Sequence, residues 1–138
     1  MSGMSNIDHL GIAVRSVKES KTFYERLGLR VVGEETIEHE GVRVAMIPVG
    51  ETRIELLEAT HAESPIGRFL VRRGEGLHHI AIRVEDLAST VERLKLQGTK
   101  FINEEIKVGA GGHLYVFVHP SSAGGVLLEL CEDPPQGV

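Results

Sequence analysis

The sequence predicts an α+β fold built from two βαβββ modules, and three observations lead to this prediction. The chain of 138 residues aligns with itself, so that DHLGIAVRSV at 8–17 matches HHIAIRVEDL at 78–87. Each of these segments reads as a strand that runs into a helix, and three further strand-like runs follow in each half. We therefore expect one domain over 1–138, with modules at about 6–60 and 76–132.

Each module is predicted to open with a strand and to continue into a helix that a serine or an aspartate caps and a glycine ends. In the first module we expect a strand over 6–14, the cap Ser16, the glycine Gly28, and strands over 30–38, 42–49 and 52–58. In the second we expect a strand over 78–84, the cap Asp86, the glycine Gly98, and strands over 100–106, 113–119 and 126–131. A short helix over 64–73, with Ser64 as its cap and Pro65 at its first position, joins the modules.

Composition limits the classes of function. The chain is 41% hydrophobic and 25% charged, as in ordinary globular proteins, and its net charge of -5 argues against binding to nucleic acid. No apolar run approaches the ~20 residues that a membrane span needs. The first residues, MSGMSN, do not resemble a signal peptide, and the single Cys131 cannot form an internal disulfide. We expect a soluble cytoplasmic protein with no nucleic-acid or membrane partner.

Strand alternation predicts that two histidines share one face of the sheet. Successive side chains of a strand point to opposite faces, so His9 points to the other face from the large apolar residues that follow it. Those apolar residues belong under the helices. His79 is its counterpart in the second module. His78 is the counterpart of Asp8 and belongs to the helix side. The histidine face has small neighbours, as a surface that admits a ligand requires.

Two glutamates take matching positions in the last strand of each module. In TRIELLE and in VLLELCE the flanking apolar residues belong to the helix side, which puts Glu55 and Glu129 on the histidine face. A carboxylate among apolar side chains is costly unless it is paired or bound to a metal. A lone strand histidine or glutamate is more often a core, surface or ion-pair residue, and no H-E-x-x-H motif is present. The paired recurrence nevertheless favours a divalent metal held by His9, Glu55, His79 and Glu129, with two coordination positions open.

These residues and several motifs resemble the methylmalonyl-CoA epimerase family of the vicinal oxygen chelate superfamily. The resemblance extends from Ile7 to about Glu132 and rests on IDHLGIAV, TRIELLE, SPIGRFL, RGEGLHHIAIRVEDL and GAGGHLYVFVHPSSAGGVLLEL. It implies a glyoxalase-like fold with a concave sheet around a metal site, a CoA thioester as substrate, and a homodimer. Cobalt is the first choice of divalent metal, with nickel, manganese, zinc or magnesium as the others.

The resemblance also implies a reaction, which belongs to propionate metabolism. The 2R and 2S epimers of methylmalonyl-CoA would be interconverted by removal and return of the C2 proton through an enolate. Glu129 is implied as one base as well as a ligand. The position that some members use for the second base is Val44 here, which leaves Glu55 or a metal-bound water for that part. In the HPSSAGG segment, Ser121, Ser122, Ala123 and Gly124 are either a loop that binds the substrate carboxylate or a plain turn.

Two other classes of function stay open at this point. Another enzyme on the same scaffold would be glyoxalase I (lactoylglutathione lyase) or an iron dioxygenase, although a dioxygenase uses two histidines and one carboxylate, so that the fourth candidate ligand argues against it. A binding protein that sequesters a drug or toxin commonly loses the ligands, whereas all four positions are filled here. For the CoA phosphates the candidate cations are Arg53, Arg68, Arg72, Arg73 and Lys107.

Overall fold

The structure is a computed structural model that describes residues 5–134, which contain eight strands and three α-helices. In chain order the elements are β1 (Asn6–Ala13), α1 (Val17–Arg26), β2 (Gly33–Ile37), β3 (Val42–Val49), β4 (Thr52–Ala59), α2 (Pro65–Arg73), β5 (Gly76–Arg83), α3 (Leu87–Leu96), β6 (Lys107–Val108), β7 (Leu114–Val118) and β8 (Leu128–Glu132). Short 3-10 turns lie at Glu38–Glu40, Ala110–Gly112 and Pro120–Ser122. No helix within the described residues is long and apolar enough to cross a bilayer.

The described chain divides into two compact units, one of residues 9–78 and one of residues 5–8 with 79–134. In the first unit the strand order is β2-β3-β4-β1, with β1 parallel to β4 and the other neighbours antiparallel. In the second unit the order is β5-β8-β7-β6, with β5 parallel to β8 and the other neighbours antiparallel. The two orders match, which confirms the α+β fold class with its repeated βαβββ pattern. That both modules make up a single domain stays a prediction.

The predicted helix caps are confirmed. Ser16 Oγ accepts a hydrogen bond from Glu19 N at 3.1 Å, and Asp86 Oδ1 accepts one from Ser89 N at 3.0 Å. Ser64 caps α2 in the same way, through Gly67 N at 3.1 Å. Such caps satisfy N–H groups that have no partner within the first turn of a helix.

At the start of two helices, a hydrogen bond from the first backbone N–H to a glutamate side chain was not predicted from the sequence. The first residue of α1, Val17, donates its N–H to Glu58 Oε1 at 2.7 Å. The first residue of α3, Leu87, donates its N–H to Glu132 Oε1 at the same distance of 2.7 Å. Each glutamate belongs to the last strand of its module, three positions after Glu55 or Glu129. The repeated E-x-x-E spacing was the available signal. These carboxylates fix each helix to its strand and also lie at the positive end of the helix dipole.

The packing of the large apolar residues confirms the predicted helix side of each sheet. In the first unit one buried cluster joins the strands to α1, and its members are Val14, Val17, Ala45, Ile47 and Leu56, with Ile12 and Ile54 packed against it. In the second unit the corresponding cluster joins the strands to α3, and its members are Leu87, Val91, Val116, Val118 and Leu130, with Ile82 and Leu128 packed against it. The opposite face of the same strands is therefore available for polar side chains.

The strand predicted over 100–106 is wrong. Phe101 forms only an isolated bridge to Val118, and the regular strand there is the two-residue β6 at Lys107–Val108. The chain leaves the sheet at Asn103 and the two glutamates that follow, where Glu104 pairs with Lys95 at 3.1 Å. Asparagine and adjacent acidic residues are poor strand formers, and apolar neighbours at 101, 102 and 106 made the segment resemble a strand.

In the first module the corresponding acidic residues lie within β2, where Glu34 has two cationic partners. Its Oε1 lies 2.6 Å from Arg43 Nη2, and its Oε2 lies 3.2 Å from Lys21 Nζ. These hydrogen bonds, the one from Arg43 first, hold the pKa of the Glu34 carboxyl below its ordinary value of 4.5. The three residues join α1, β2 and β3.

The hydrogen bonds from the helix N-termini to Glu58 and Glu132 should contribute measurably to stability. Replacing Glu58 or Glu132 by alanine leaves a helix N–H without its charged acceptor, and we expect each change to lower the free energy of unfolding by about 1–2 kcal/mol. Urea denaturation followed by circular dichroism would measure it. Glu51→Ala, at an exposed turn, is the matched control and should change the value by less than about 0.5 kcal/mol. Equal effects for all three variants would contradict a stabilising role of these hydrogen bonds.

The Glu34 ion pairs should make a small contribution that depends on pH. Since the pKa of Glu34 is lower in the folded state than in the unfolded chain, the stabilisation is present above the unfolded value and is lost as the pH falls through the folded one. We expect Glu34→Gln to reduce the free energy of unfolding at pH 7 by at most about 1 kcal/mol, because the carboxylate is partly exposed and salt screens it. A difference that persists in acid, below the folded-state pKa, would contradict this origin.

Candidate metal centre

The first module brings His9 and Glu55 together. β1 and β4 are parallel neighbours, and their register sets Arg53 opposite His9 and Gly11 opposite Glu55. His9 Nε2 lies 3.4 Å from Glu55 Oε1. Both residues are only 4% exposed. The predicted pairing of one histidine with one glutamate on the face away from α1 is therefore present in this unit.

A third residue in the first module holds the other oxygen of Glu55. Arg53 Nε and Arg53 Nη2 each lie 2.9 Å from Glu55 Oε2. The two oxygens of this carboxylate thus have different neighbours, imidazole on one side and guanidinium on the other. Sequence reasoning treated Arg53 only as a possible contact for CoA phosphate. The signal that it faces Glu55 was the R-x-E spacing, since residues two apart on a strand share a face.

The second module forms the equivalent pair from His79 and Glu129. β5 and β8 are parallel, with Ala81 opposite Glu129. His79 Nε2 lies 3.0 Å from Glu129 Oε1, and the two residues are 6% and 8% exposed. Phe117, opposite Glu129 on β7, meets the His79 ring edge to face, with the ring centroids 5.3 Å apart. This aromatic contact, which sequence reasoning missed, fixes the plane of the imidazole.

Each pair has a chemistry and a spacing that fit a divalent cation. Imidazole nitrogen and carboxylate oxygen are ligands for first-row transition metals. Two ligand atoms about 2.1 Å from one ion are about 3.0 Å apart when they are at right angles and farther apart at wider angles. The observed separations of 3.0 and 3.4 Å are compatible with a shared ion in each case. Burial strengthens the argument, because buried carboxylates need a positive partner.

The resemblance implies an acidic second base in some family members at the position of Val44. The structure shows where this valine lies. Val44 is buried, and it lies opposite Leu57 on the strand pair β3–β4, in which Met46 lies opposite Glu55. Val44 and Met46 therefore belong to the same face of the first module as Glu55. At this position the face carries an apolar side chain in place of the acidic residue that the resemblance implies.

His78 differs from its neighbour His79. Its ring meets Phe69 of α2 edge to face, with centroids 5.0 Å apart. The residue is half-buried. This contact with a helix residue agrees with the expectation that His78 belongs to the helix side.

A separate group of possible ligands in the second unit is better explained as an ion network. The ligand atoms of Asp8, His113 and Asp133 lie within 4.8 Å of one another. Arg83 Nη1, however, lies 3.8 Å from Asp8 Oδ1 and 3.6 Å from Asp133 Oδ1. Its guanidinium already supplies positive charge to both carboxylates. His113 Nε2 adds a contact of 3.2 Å to Asp133 and attaches the glycine-rich turn to the network.

The HPSSAGG segment is a compact turn. Ser121 N donates to His119 Nδ1 at 3.0 Å, Ser122 N to His119 O at 2.9 Å, and Ala123 N to Pro120 O at 3.0 Å. Those three backbone N–H groups are therefore engaged within the turn itself. Both serines are exposed, and Ser122 Oγ accepts a hydrogen bond from Lys100 N at 2.9 Å. Any substrate carboxylate bound here would meet hydroxyl groups first. The role of this loop stays a prediction.

Comparison with known proteins places the chain in a family. A model described as the Glyoxalase/Bleomycin resistance protein/Dioxygenase superfamily matches residues 8–117. Human mitochondrial methylmalonyl-CoA epimerase is 36% identical over 129 residues, which cover 92% of this chain and 73% of the human protein.

Solved structures agree with the family model. Methylmalonyl-CoA epimerase from Mycobacterium tuberculosis matches with a TM-score of 0.88 at 36% identity, over 94% of this chain and 88% of that one. A variant of the Streptomyces coelicolor epimerase in complex with 2-nitronate-propionyl-CoA matches with a TM-score of 0.91 at 32% identity, over 96% of this chain and 97% of that one. The family predicted from the sequence is confirmed: the chain belongs to the Glyoxalase/Bleomycin resistance protein/Dioxygenase superfamily, also called the vicinal oxygen chelate superfamily.

Proposed function

We propose that this protein is an isomerase that interconverts the 2R and 2S epimers of methylmalonyl-CoA. The observation that carries the proposal is a buried His–Glu pair in each module of a chain whose relatives, over 92% of its length, include methylmalonyl-CoA epimerases. The C2 proton of this substrate is adjacent to a thioester carbonyl, whose oxygen takes up the negative charge as an enolate when a positioned carboxylate removes the proton. A solved relative with a CoA thioester analogue bound supports the choice of substrate class.

We further propose that His9, Glu55, His79 and Glu129 together hold one divalent ion, with cobalt as the first choice. Both pairs have the donor types and the separations that such an ion requires, and the superfamily supports a metal at this kind of site. When bound, the ion supplies a Lewis acid for the substrate oxygen on which negative charge develops. The same cation compensates for burying two carboxylates.

Proton transfer is assigned to the carboxylates. Glu129 is the first candidate because Oε1 faces His79 while the group stays 8% exposed, which limits water access without closing the carboxylate off. A positioned base of this kind contributes about 10²–10⁴-fold. Glu55 is the second candidate, as expected from the sequence. Its Oε2 is in contact with Arg53, so a proton is transferred to that oxygen after the Arg53 side chain has moved away from it.

The remaining parts of the proposal concern binding and assembly. The hydroxyl groups of Ser121 and Ser122, with Ala123 and Gly124 beside them, are proposed to bind the substrate carboxylate. We also propose that the enzyme works in the cytoplasm as a homodimer with no nucleic-acid or membrane partner, and that it serves propionate metabolism. These parts rest on composition and on the family resemblance.

The proposal is tested by exchange of the C2 proton with solvent. Methylmalonyl-CoA in D2O should incorporate deuterium with cobalt-restored protein and not with EDTA-stripped protein, because proton removal needs the metal-bound site. Mass spectrometry measures the exchange. Glu129→Gln, which keeps the shape of the side chain, should reduce it by about 10²-fold or more. Absence of exchange with either preparation, together with turnover of a glutathione hemithioacetal, would replace the epimerase by glyoxalase I.

The two adjacent histidines allow a matched test of the metal site. His79→Ala should remove most of the bound metal and the exchange activity, because it deletes one of the proposed ligands. His78→Ala should retain both, since His78 packs on Phe69. Metal content is measured by inductively coupled plasma mass spectrometry after loading and desalting. Equal loss in both variants would contradict the assignment of His79 as the ligand.

A further inference from the structure

We infer that Arg53 is a positioning residue that restricts Glu55 to binding the metal through one oxygen. The inference rests on the proposed function and adds to it. Two nitrogen atoms of the guanidinium, Nε and Nη2, both lie 2.9 Å from Glu55 Oε2. The other oxygen, Oε1, lies beside His9 Nε2 at 3.4 Å. Only Oε1 is therefore presented on the side where the histidine ligand lies.

The Arg53 contact differs from an ordinary surface ion pair. The Glu55 side chain is 6% exposed and that of Arg53 is 21% exposed, whereas the Lys21–Glu34 pair has values of 30% and 24%. A hydrogen bond from Nε and an ion-pair contact from Nη2, both from one planar group to one oxygen, restrict the rotation of the carboxylate as well as compensating its charge. The exposed ion pair of Lys21 with Glu34 does not restrict the rotation of its carboxylate in this way.

Comparison of the modules shows that the arginine itself belongs to the first one. Glu55 aligns with Glu129, and the residue two positions earlier is Arg53 in the first module and Leu127 in the second. Leucine has no group that can hold a carboxylate oxygen. The two modules thus repeat the His–Glu pair but differ in the side chain that orients the glutamate.

Holding Oε2 has a consequence for the chemistry. A carboxylate with both oxygens accessible can bind a metal with either one or two, and the second mode uses a coordination position that a chelating substrate needs. By engaging Oε2, Arg53 keeps Glu55 in the first mode and leaves that position for substrate oxygen. Arg53 also disfavours proton transfer by Glu55 Oε2, because that oxygen already lies 2.9 Å from two guanidinium nitrogens.

The test combines metal binding, spectroscopy and exchange in Arg53→Ala, Arg53→Lys and the control Arg43→Ala. Arg43 is another strand arginine that pairs with a glutamate, Glu34, so its loss removes a similar ion pair away from His9. We expect Arg53→Ala to retain bound cobalt, to change the visible absorption spectrum of the cobalt protein, and to lower kcat for deuterium exchange by roughly 10–100-fold. Lysine should restore part of kcat because it can donate to Oε2 through one group. Arg43→Ala should match the unmodified protein in spectrum and kcat.

Several outcomes would overturn the inference. An unchanged cobalt spectrum and kcat in Arg53→Ala would show that the guanidinium does not position Glu55. Loss of cobalt together with a lowered unfolding temperature, which lysine does not restore, would show a structural role only. If the unmodified protein binds cobalt but shows no metal-dependent exchange, the proposed function fails, and the cobalt spectra of the variants still decide the role of Arg53.

Discussion

The structure depends on the burial of two carboxylates, Glu55 and Glu129, each beside an imidazole. An ionised carboxylate loses several kcal/mol of hydration free energy on burial, and an unpaired one would not persist in a folded domain. Each module places a histidine of its first strand beside the glutamate of its last strand, and the two strands are parallel neighbours. The apolar clusters under α1 and α3 occupy the other face of the same strands.

The last strand of each module combines this chemistry with support of the fold. Glu55 and Glu58, like Glu129 and Glu132, are separated by three positions, so they point to opposite faces of the strand. The first glutamate of each pair lies beside a histidine, and the second accepts the first N–H of a helix. The strand that carries the candidate ligand is therefore also anchored to the helix that covers its apolar face.

The internal repeat explains how much of this could be predicted. Alignment of the two halves singled out both histidines, strand alternation placed both glutamates on the same face as these, and local capping rules predicted Ser16, Ser64 and Asp86. The contact between Arg53 and Glu55 was not predicted, because strand alternation gives a face but not the direction of a long flexible side chain. The strand at 100–106 failed for a different reason. Its apolar residues satisfied the local pattern, whereas Asn103 and its acidic neighbours turn the chain away after a single bridge.

The differences between the modules are as informative as the repeat. A duplicated His–Glu pair alone would present two equivalent carboxylates, whereas removing a proton from one face of a carbon and returning it to the other makes different demands on its two groups. The first module has Arg53 on Glu55 and the apolar Val44 on the same face, and the second has Leu127 before Glu129 and Phe117 against His79. These neighbours restrict Glu55 and orient His79. The repeat thus supplies the candidate ligand types, and the residues that break the repeat give the two glutamates different neighbours.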